Sequence, residues 1–436
     1  MSPESFLPRS DSMEAVATPA LTSISEITGG FFRRQMLRQM TRLSVGRLTL
    51  IEGGESFVFG SINANDSLRA TVRILHNDGY KQMVLGGSVG TAESLMDGAW
   101  ECDDLVSLVR IFVRNRDVLD GMEGGLARVA KSVLRFWHER QRNTRDGSRR
   151  NIAAHYDLGN DFFQLFLDES LMYSSAIYAH SGESLERAQE RKLERICAKL
   201  DLKAGERVIE IGTGWGSFAI HAARHHGVHV TTTTISQRQF ELACARVAAA
   251  GLGDCISVLL KDYRDLTGTY DKLVSIEMVE AIGHQYLDVY FEKLSTLLEP
   301  HGSALIQAIT IEDSRYSRAL TDIDFIKRYV FPGSFIPSVS AMLGAVARGT
   351  NLKLTNLEDI GPSYALTLHA WRERFLNSLP QVRAQGYSEA FIRMWDFYLA
   401  YCEGGFRERS IGDVQLLLAK PDNRRTQFLP DLAPSI

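Results

Sequence analysis

At 436 residues the chain is longer than a single hydrophobic core usually sustains, so two domains are expected. Its formal net charge of −4 and pI near 6.3 give no global case for nucleic acid, although a weakly acidic total can conceal a local basic patch. Five cysteines, at 102, 197, 244, 255 and 402, form no Cys-x-x-Cys pair and no His/Cys spacing suited to a metal, so reduced, mostly buried thiols and no metal site are expected. The chain does not open with a basic region followed by a long apolar run, and no uninterrupted apolar stretch reaches ~18 residues, which points to a cytoplasmic protein that at most touches a membrane surface.

Residues 1–30 are rich in Ser, Thr, Pro and Glu without periodicity and read as a disordered leader, with order starting near Phe31. A small α+β domain is predicted over 31–122: short apolar strands at 46–54, 56–60 and 70–75, then helices at about 79–98 and 103–115, with no catalytic cluster. Segment 123–150 reads as a basic amphipathic helix and linker. Leu126, Val129, Ala130, Val133, Leu134 and Trp137 fall on one face, while Arg128, Lys131, Arg135 and Arg140 lie elsewhere and Arg142, Arg145, Arg149 and Arg150 extend the charge. Two readings fit it: a helix lying on anionic lipid, where each basic residue is worth ~1 kcal/mol, or an interdomain helix with a solvated basic face.

From 151 to about 425 the pattern alternates. Strands at 207–212, 228–234, 256–260, 270–276 and 302–309 are interleaved with helices at 184–200, 215–226, 236–251 and 285–298. A helical insert follows at about 314–349, then a strand at 352–360, helices at 365–378 and 387–404, and a last strand near 413–419. Such alternation predicts an α/β fold, a doubly wound and mostly parallel sheet that binds ligands at the carboxyl ends of its strands.

The first strand of that sheet runs into Glu210-Ile-Gly-Thr-Gly-Trp-Gly216, where Gly212, Gly214 and Gly216 permit a sharp turn and close approach of a nucleotide-like ligand to the helix start behind it. The next strand ends in hydroxyls, Thr231 to Thr234, with no acidic residue to grip a ribose as an NAD enzyme would. Asp262 and Tyr263 follow the third strand, where an adenine-contacting loop belongs, so S-adenosylmethionine fits better than NAD. Glu280 lies just past the fourth strand. It reads either as a base at the ligand crevice or as an acid stabilised by a helix N-terminus, and Glu277 carries the same ambiguity. Gln307 closes the fifth strand and points toward the same crevice; Ser174, Ser175 and Tyr364 say little on their own.

Taken together, His155-Tyr-Asp-Leu-Gly-Asn160, Tyr173-Ser174, Glu210–Gly216, Thr234-Ile-Ser236 with Gln239, Asp262–Leu266, Glu280, Phe331-Pro-Gly333 and Tyr401-Cys-Glu-Gly-Gly-Phe406 resemble the cyclopropane-fatty-acyl-phospholipid synthases and their mycolic acid relatives. The front domain resembles that family's N-terminal domain through Ala92–Trp100 and Asn115–Asp117. The resemblance implies a Rossmann-like class I methyltransferase domain with S-adenosylmethionine held by Tyr173, Ser174, Glu210, Gly212, Gly214, Gly216, Thr234, Gln239, Asp262 and Tyr263. It also implies a bicarbonate ion beside the acyl chain at Glu280, Ile309 and Tyr364. Ser175 stands where that family has a Cys and Gln307 where it has a His, so an ionisable imidazole is missing.

The implied reaction is attack by a cis double bond of an unsaturated phospholipid acyl chain on the sulfonium methyl, followed by proton loss from the methyl to close a cyclopropane. Proton loss elsewhere gives methyl-branched or methylene products, and an inactive lipid-binding protein is the further alternative. A homodimer at the inner face of the membrane completes what the resemblance implies.

Overall fold

The computed structural model describes residues 20–62, 67–118 and 158–426. The basic segment 123–150, the leader up to residue 19 and the motif residues His155 to Asp157 lie outside them.

Helix α1 (Ala20–Met40) starts ahead of the expected onset of order near Phe31. It leads into β1 (Gly46–Glu52) and β2 (Glu55–Ser61), an antiparallel hairpin turning at Gly53-Gly54, both at positive φ. Strand β3 (Arg69–Ile74) pairs parallel to β1, and helix α2 (Asp78–Met96) returns the chain to β4 (Trp100–Cys102) on the outer edge of β3. Helix α3 (Leu105–Arg114) begins where the Asp104 side chain accepts from the Ser107 N–H. The domain is therefore α+β, as expected, with a four-stranded sheet in the order β2-β1-β3-β4. Strand β4 was not foreseen, because three residues are too few to display a period-two pattern.

The larger domain comprises α4 (Asn160–Gln164), α5 (Leu185–Leu200), β5 (Arg207–Ile211), α6 (Ser217–His226), β6 (His229–Thr234), α7 (Gln237–Ala249), β7 (Ile256–Leu260), β8 (Tyr270–Ile276), α8 (Leu287–Thr296) and β9 (Leu298–Ile311). After them come α9 (Asp313–Thr321), α10 (Val339–Gly349), β10 (Lys353–Asp359), α11 (Gly361–Asn377), α12 (Leu379–Ala384), α13 (Glu389–Arg407) and β11 (Ile411–Ala419). The seven-stranded sheet runs β10-β11-β9-β8-β5-β6-β7. Strands β9, β8, β5, β6 and β7 pair parallel, while β11 is antiparallel to both neighbours. Strand order reverses between β5 and β8, which opens a crevice at their carboxyl ends.

The two domains are clamped together along α13. The Glu408 carboxylate accepts from Arg110 Nε and Arg114 Nε of α3, each at 2.6 Å. A Cβ on Gly404 would stand 2.6 Å from a methyl of Val109, so the glycine lets α13 and α3 touch closely. The insert adds a second tie, Tyr329 OH donating to Glu93 of α2 at 2.5 Å.

Candidate active site

One cavity of about 810 Å³ runs through both domains. At one end Met36, Leu48, Leu50, Val72, Trp100 and Phe112 of the front domain give it an apolar wall; at the other it reaches the glycine turn after β5.

At that turn Gly212, Gly214 and Gly216 adopt φ of +98°, +52° and +87°. A Cβ on Gly214 would meet nothing within 4 Å and would project into the cavity wall space that a ligand needs. Gly216 departs from expectation: it does not line the cavity. It precedes α6, and a Cβ there would make only ordinary contact at 3.6 Å with Ala243 of α7, so what glycine supplies is the φ of +87° at the start of the helix.

The other expected cofactor residues all line the cavity. Glu210 lies beneath the turn, 2% exposed, accepting from Thr232 Oγ1 at 2.6 Å, and burial pushes its carboxyl up to about 8. Thr234 Oγ1 donates to Gln239 Oε1 at 2.8 Å and accepts from the Ser236 N–H at 3.1 Å, which fixes the end of β6 against the start of α7. Asp262 is held by Arg264 of its own loop through Nε at 2.9 Å and Nη2 at 2.7 Å, with the Tyr263 ring buried beside it. Tyr173 OH shares a 2.9 Å hydrogen bond with Tyr398 OH, and Ser174 Oγ accepts from Lys192 Nζ at 2.9 Å.

The five residues expected to surround an anion converge, with one displacement. Ile309 N–H donates to Glu280 Oε1 at 2.6 Å, and Glu280 Oε2 has no partner among the described residues. Burial, and then the neighbouring Glu277, push the Glu280 carboxyl up to about 8. The donors of Ser175, Gln307 and Tyr364 all point at Glu277 instead. Ser175 N–H and Gln307 Nε2 each reach Glu277 Oε1 at 2.8 Å, and Tyr364 OH reaches Oε2 at 2.8 Å. Ser175 and Gln307 are wholly buried behind Glu277 rather than facing the cavity, whereas Glu277, Glu280, Ile309 and Tyr364 line it.

Behind Gln307 a chain of polar groups continues. Its Nε2 also lies 3.2 Å from Asp413 Oδ2, its Oε1 accepts from Gln415 Nε2 at 3.0 Å, and Gln415 Oε1 accepts from Lys199 Nζ at 2.9 Å. Asp413 and Lys192 are both wholly buried. Burial and Glu277 hold the Asp413 carboxyl well above the usual range, and burial lowers Lys192 to about 8.

Sequence reasoning named Glu277 without assigning it a role and passed over Lys192, Asp413 and Gln415. Signals existed: Asp413 and Gln415 sit two apart on one face of an otherwise apolar strand, and Lys192 falls on the apolar stripe of α5 beside Leu185, Ala188 and Ile196. Away from the cavity, Cys197, His221 and His226 lie within 4.8 Å of one another. Cys197 belongs to the apolar core there, and Glu194 Oε2 serves both imidazoles at 3.3 and 3.1 Å, so the trio is internally satisfied.

The sheet order, the glycine turn and the cavity at the strand ends define a class I S-adenosylmethionine-dependent methyltransferase. The sequence pattern described as mycolic acid cyclopropane synthetase matches residues 143–416, and the chain belongs to that family. It is 38% identical over 342 residues to the tuberculostearic acid methyltransferase UfaA1 of Mycobacterium tuberculosis (77% of this chain, 79% of the relative). It is 37% identical over 364 residues to the cyclopropane-fatty-acyl-phospholipid synthase of Escherichia coli K12 (82% and 90%). Among solved structures, the cyclopropane synthase MmaA2 of Mycobacterium tuberculosis matches at 29% identity with a TM-score of 0.59, over 62% of this chain and 98% of that one.

Proposed function

We propose that this enzyme transfers a methylene equivalent from S-adenosylmethionine to the cis double bond of unsaturated phospholipid acyl chains, forming cyclopropane. The observation that carries this reading is the cavity: a continuous space with an apolar front-domain wall at one end and the glycine turn, Glu277 and Glu280 at the other. Shape and wall chemistry suit a long acyl chain whose middle reaches the methyl donor.

The residues present fit the cofactor, since the open space at Gly214 would be filled by any side chain there. Tyr173, Gly212, Gly214, Gln239 and Asp262 would hold it, and when bound it supplies an electrophilic sulfonium methyl. An alkene is a poor nucleophile, so the protein's contribution is to align it and keep water away. Phe331, Leu368 and Phe406 supply the dry wall, and the Tyr364 ring packs 4.4 Å from Phe406. Aromatic faces and the Glu277 carboxylate would stand where positive charge develops on the lipid.

The bicarbonate implied by the resemblance does not fit these residues, because Glu277 occupies three of its expected donors.

One observation favours a second product. Gln307 replaces an imidazole that could move a proton, and UfaA1, at 38% identity, is by name a tuberculostearic acid methyltransferase. Proton loss from a chain carbon would give a methyl-branched or methylene acid.

Among the described residues no helix is long and apolar enough to cross a membrane. Access to phospholipid is assigned to the basic residues between 124 and 150 acting on an anionic inner-membrane surface. Neutralising Arg135, Arg140 and Arg142 together is expected to weaken binding to anionic vesicles at low salt, measured by co-sedimentation; unchanged binding would return the segment to a solvated linker. A homodimer is the assembly proposed.

The test of the reaction is release of S-adenosylhomocysteine with vesicles of cis-monounsaturated phospholipid, against vesicles of the saturated analogue. Release that depends on the double bond supports the reading, and equal release with both contradicts it.

A further inference from the structure

We propose that the Glu277 carboxylate is a built-in replacement for the bicarbonate ion and is the catalytic base that removes the proton from the newly attached methyl group. The inference rests on the reaction proposed above.

Three donors from three separate elements converge on one carboxylate: the Ser175 N–H before α5, the Gln307 amide on β9 and the Tyr364 hydroxyl on α11, each at 2.8 Å. Bicarbonate and a glutamate side chain share a planar O–C–O group with a single negative charge, so donors arranged for one suit the other. A free anion cannot enter while the carboxylate is there.

The backbone shows that the placement is specified. Glu277 sits at φ +48°, the left-handed region that non-glycine residues enter at a cost, and it is one of four such non-glycine residues among those described. Its N–H donates to the Gln307 carbonyl at 2.8 Å, which holds the turn that aims the side chain into the site.

Two further acids, one ammonium and one phenol surround Glu277. Asp413 on β11 is held well above the ordinary carboxyl range by burial and by Glu277. Lys192 on α5 is the buried cation of the cluster, Glu280 faces the same space with one oxygen unpartnered, and Tyr364 OH is a donor to Glu277.

In the step proposed, the methyl carbon has already bonded to one alkene carbon and the other bears the positive charge. A C–H bond of the new methyl breaks; its electron pair forms the second bond to the cationic carbon and closes the ring. The proton goes to Glu277, so the charges of cation and carboxylate vanish together. The glutamic acid loses that proton before the next turnover.

The test uses the full-length enzyme in bicarbonate-free buffer with S-adenosylmethionine and cis-monounsaturated phospholipid vesicles. The native rate is expected to be unchanged by added bicarbonate. Glu277→Gly, suited to the left-handed backbone, should lose at least about 100-fold in kcat. It should retain S-adenosylhomocysteine affinity, bind 13C-labelled bicarbonate by NMR and recover at least about tenfold when bicarbonate is added. Glu277→Gln fills the space with a group that cannot take a proton, so it should be equally slow and not rescued.

Bicarbonate dependence of the native rate, native turnover in Glu277→Gln, or absence of both binding and rescue in Glu277→Gly would each overturn the proposal. Should the native enzyme release no S-adenosylhomocysteine with any unsaturated lipid, the proposed reaction fails. The 13C titration still judges Glu277 independently, because bicarbonate binding to the native protein contradicts its replacement.

Discussion

Three carboxyl groups, Glu277, Glu280 and Asp413, share one corner of the protein with the buried cation Lys192, and burial raises all three acids. Like charges this close cannot all ionise at neutral pH, so the cluster divides its protons. Glu280, pushed up to about 8, is largely neutral at pH 7. Glutamine mimics that neutral form and still accepts from Ile309 N–H, so Glu280→Gln should slow turnover far less than Glu277→Gln; steady-state kinetics of the two variants decides it. Because Glu277 is raised, the acid limb of kcat should lie above the ordinary carboxyl range.

Glu210 offers a stability counterpart at the same scale. Its folded pKa of about 8 exceeds the unfolded value near 4.3, so between those values the folded state holds a proton that the unfolded state has released. Stability from this group is complete below the unfolded pKa and lost as pH rises toward 8. Glu210→Gln should therefore reduce the fall in Tm between pH 5 and pH 8 by a few degrees, read by calorimetry at both pH values. The glycine turn and Glu280 were legible from residue type and position after a strand. The role of Glu277 was not, because a left-handed backbone at a non-glycine residue leaves no mark in the sequence.

At the scale of elements, the contact between α3 and α13 sets how the front domain meets the catalytic one. The Tyr401–Phe406 motif was readable as a resemblance without a physical reason; the structure supplies one at Gly404. Gly404→Ala forces Val109 or the helix itself to move and should cost roughly 1–3 kcal/mol by denaturant unfolding. Glu408→Gln removes the charge shared by Arg110 and Arg114 and should cost about 2 kcal/mol. It should also raise KM for lipid while leaving S-adenosylhomocysteine affinity unchanged. The alternating elements from 207 to 309 were predictable because long amphipathic helices and buried strands differ in period. Strand β4 was too short to announce itself.

Over the whole molecule, the feature that unites the parts is the cavity that leaves the methyl-donor turn and ends among Met36, Leu48, Val72 and Trp100 of the front domain. Sequence assigned that domain no catalytic cluster; what it gives the cavity is largely apolar wall. The cavity was not legible because its lining comes from segments more than 200 residues apart, and apolar residues that line a space look like those that fill a core.

The central claim is that a lipid double bond receives the methyl carbon and closes to a three-membered ring. Proton NMR of the fatty esters recovered after incubation with S-adenosylmethionine and cis-monounsaturated phospholipid vesicles tests it most directly. High-field ring protons are the predicted result; vinylidene or branched-methyl signals in their place would contradict it.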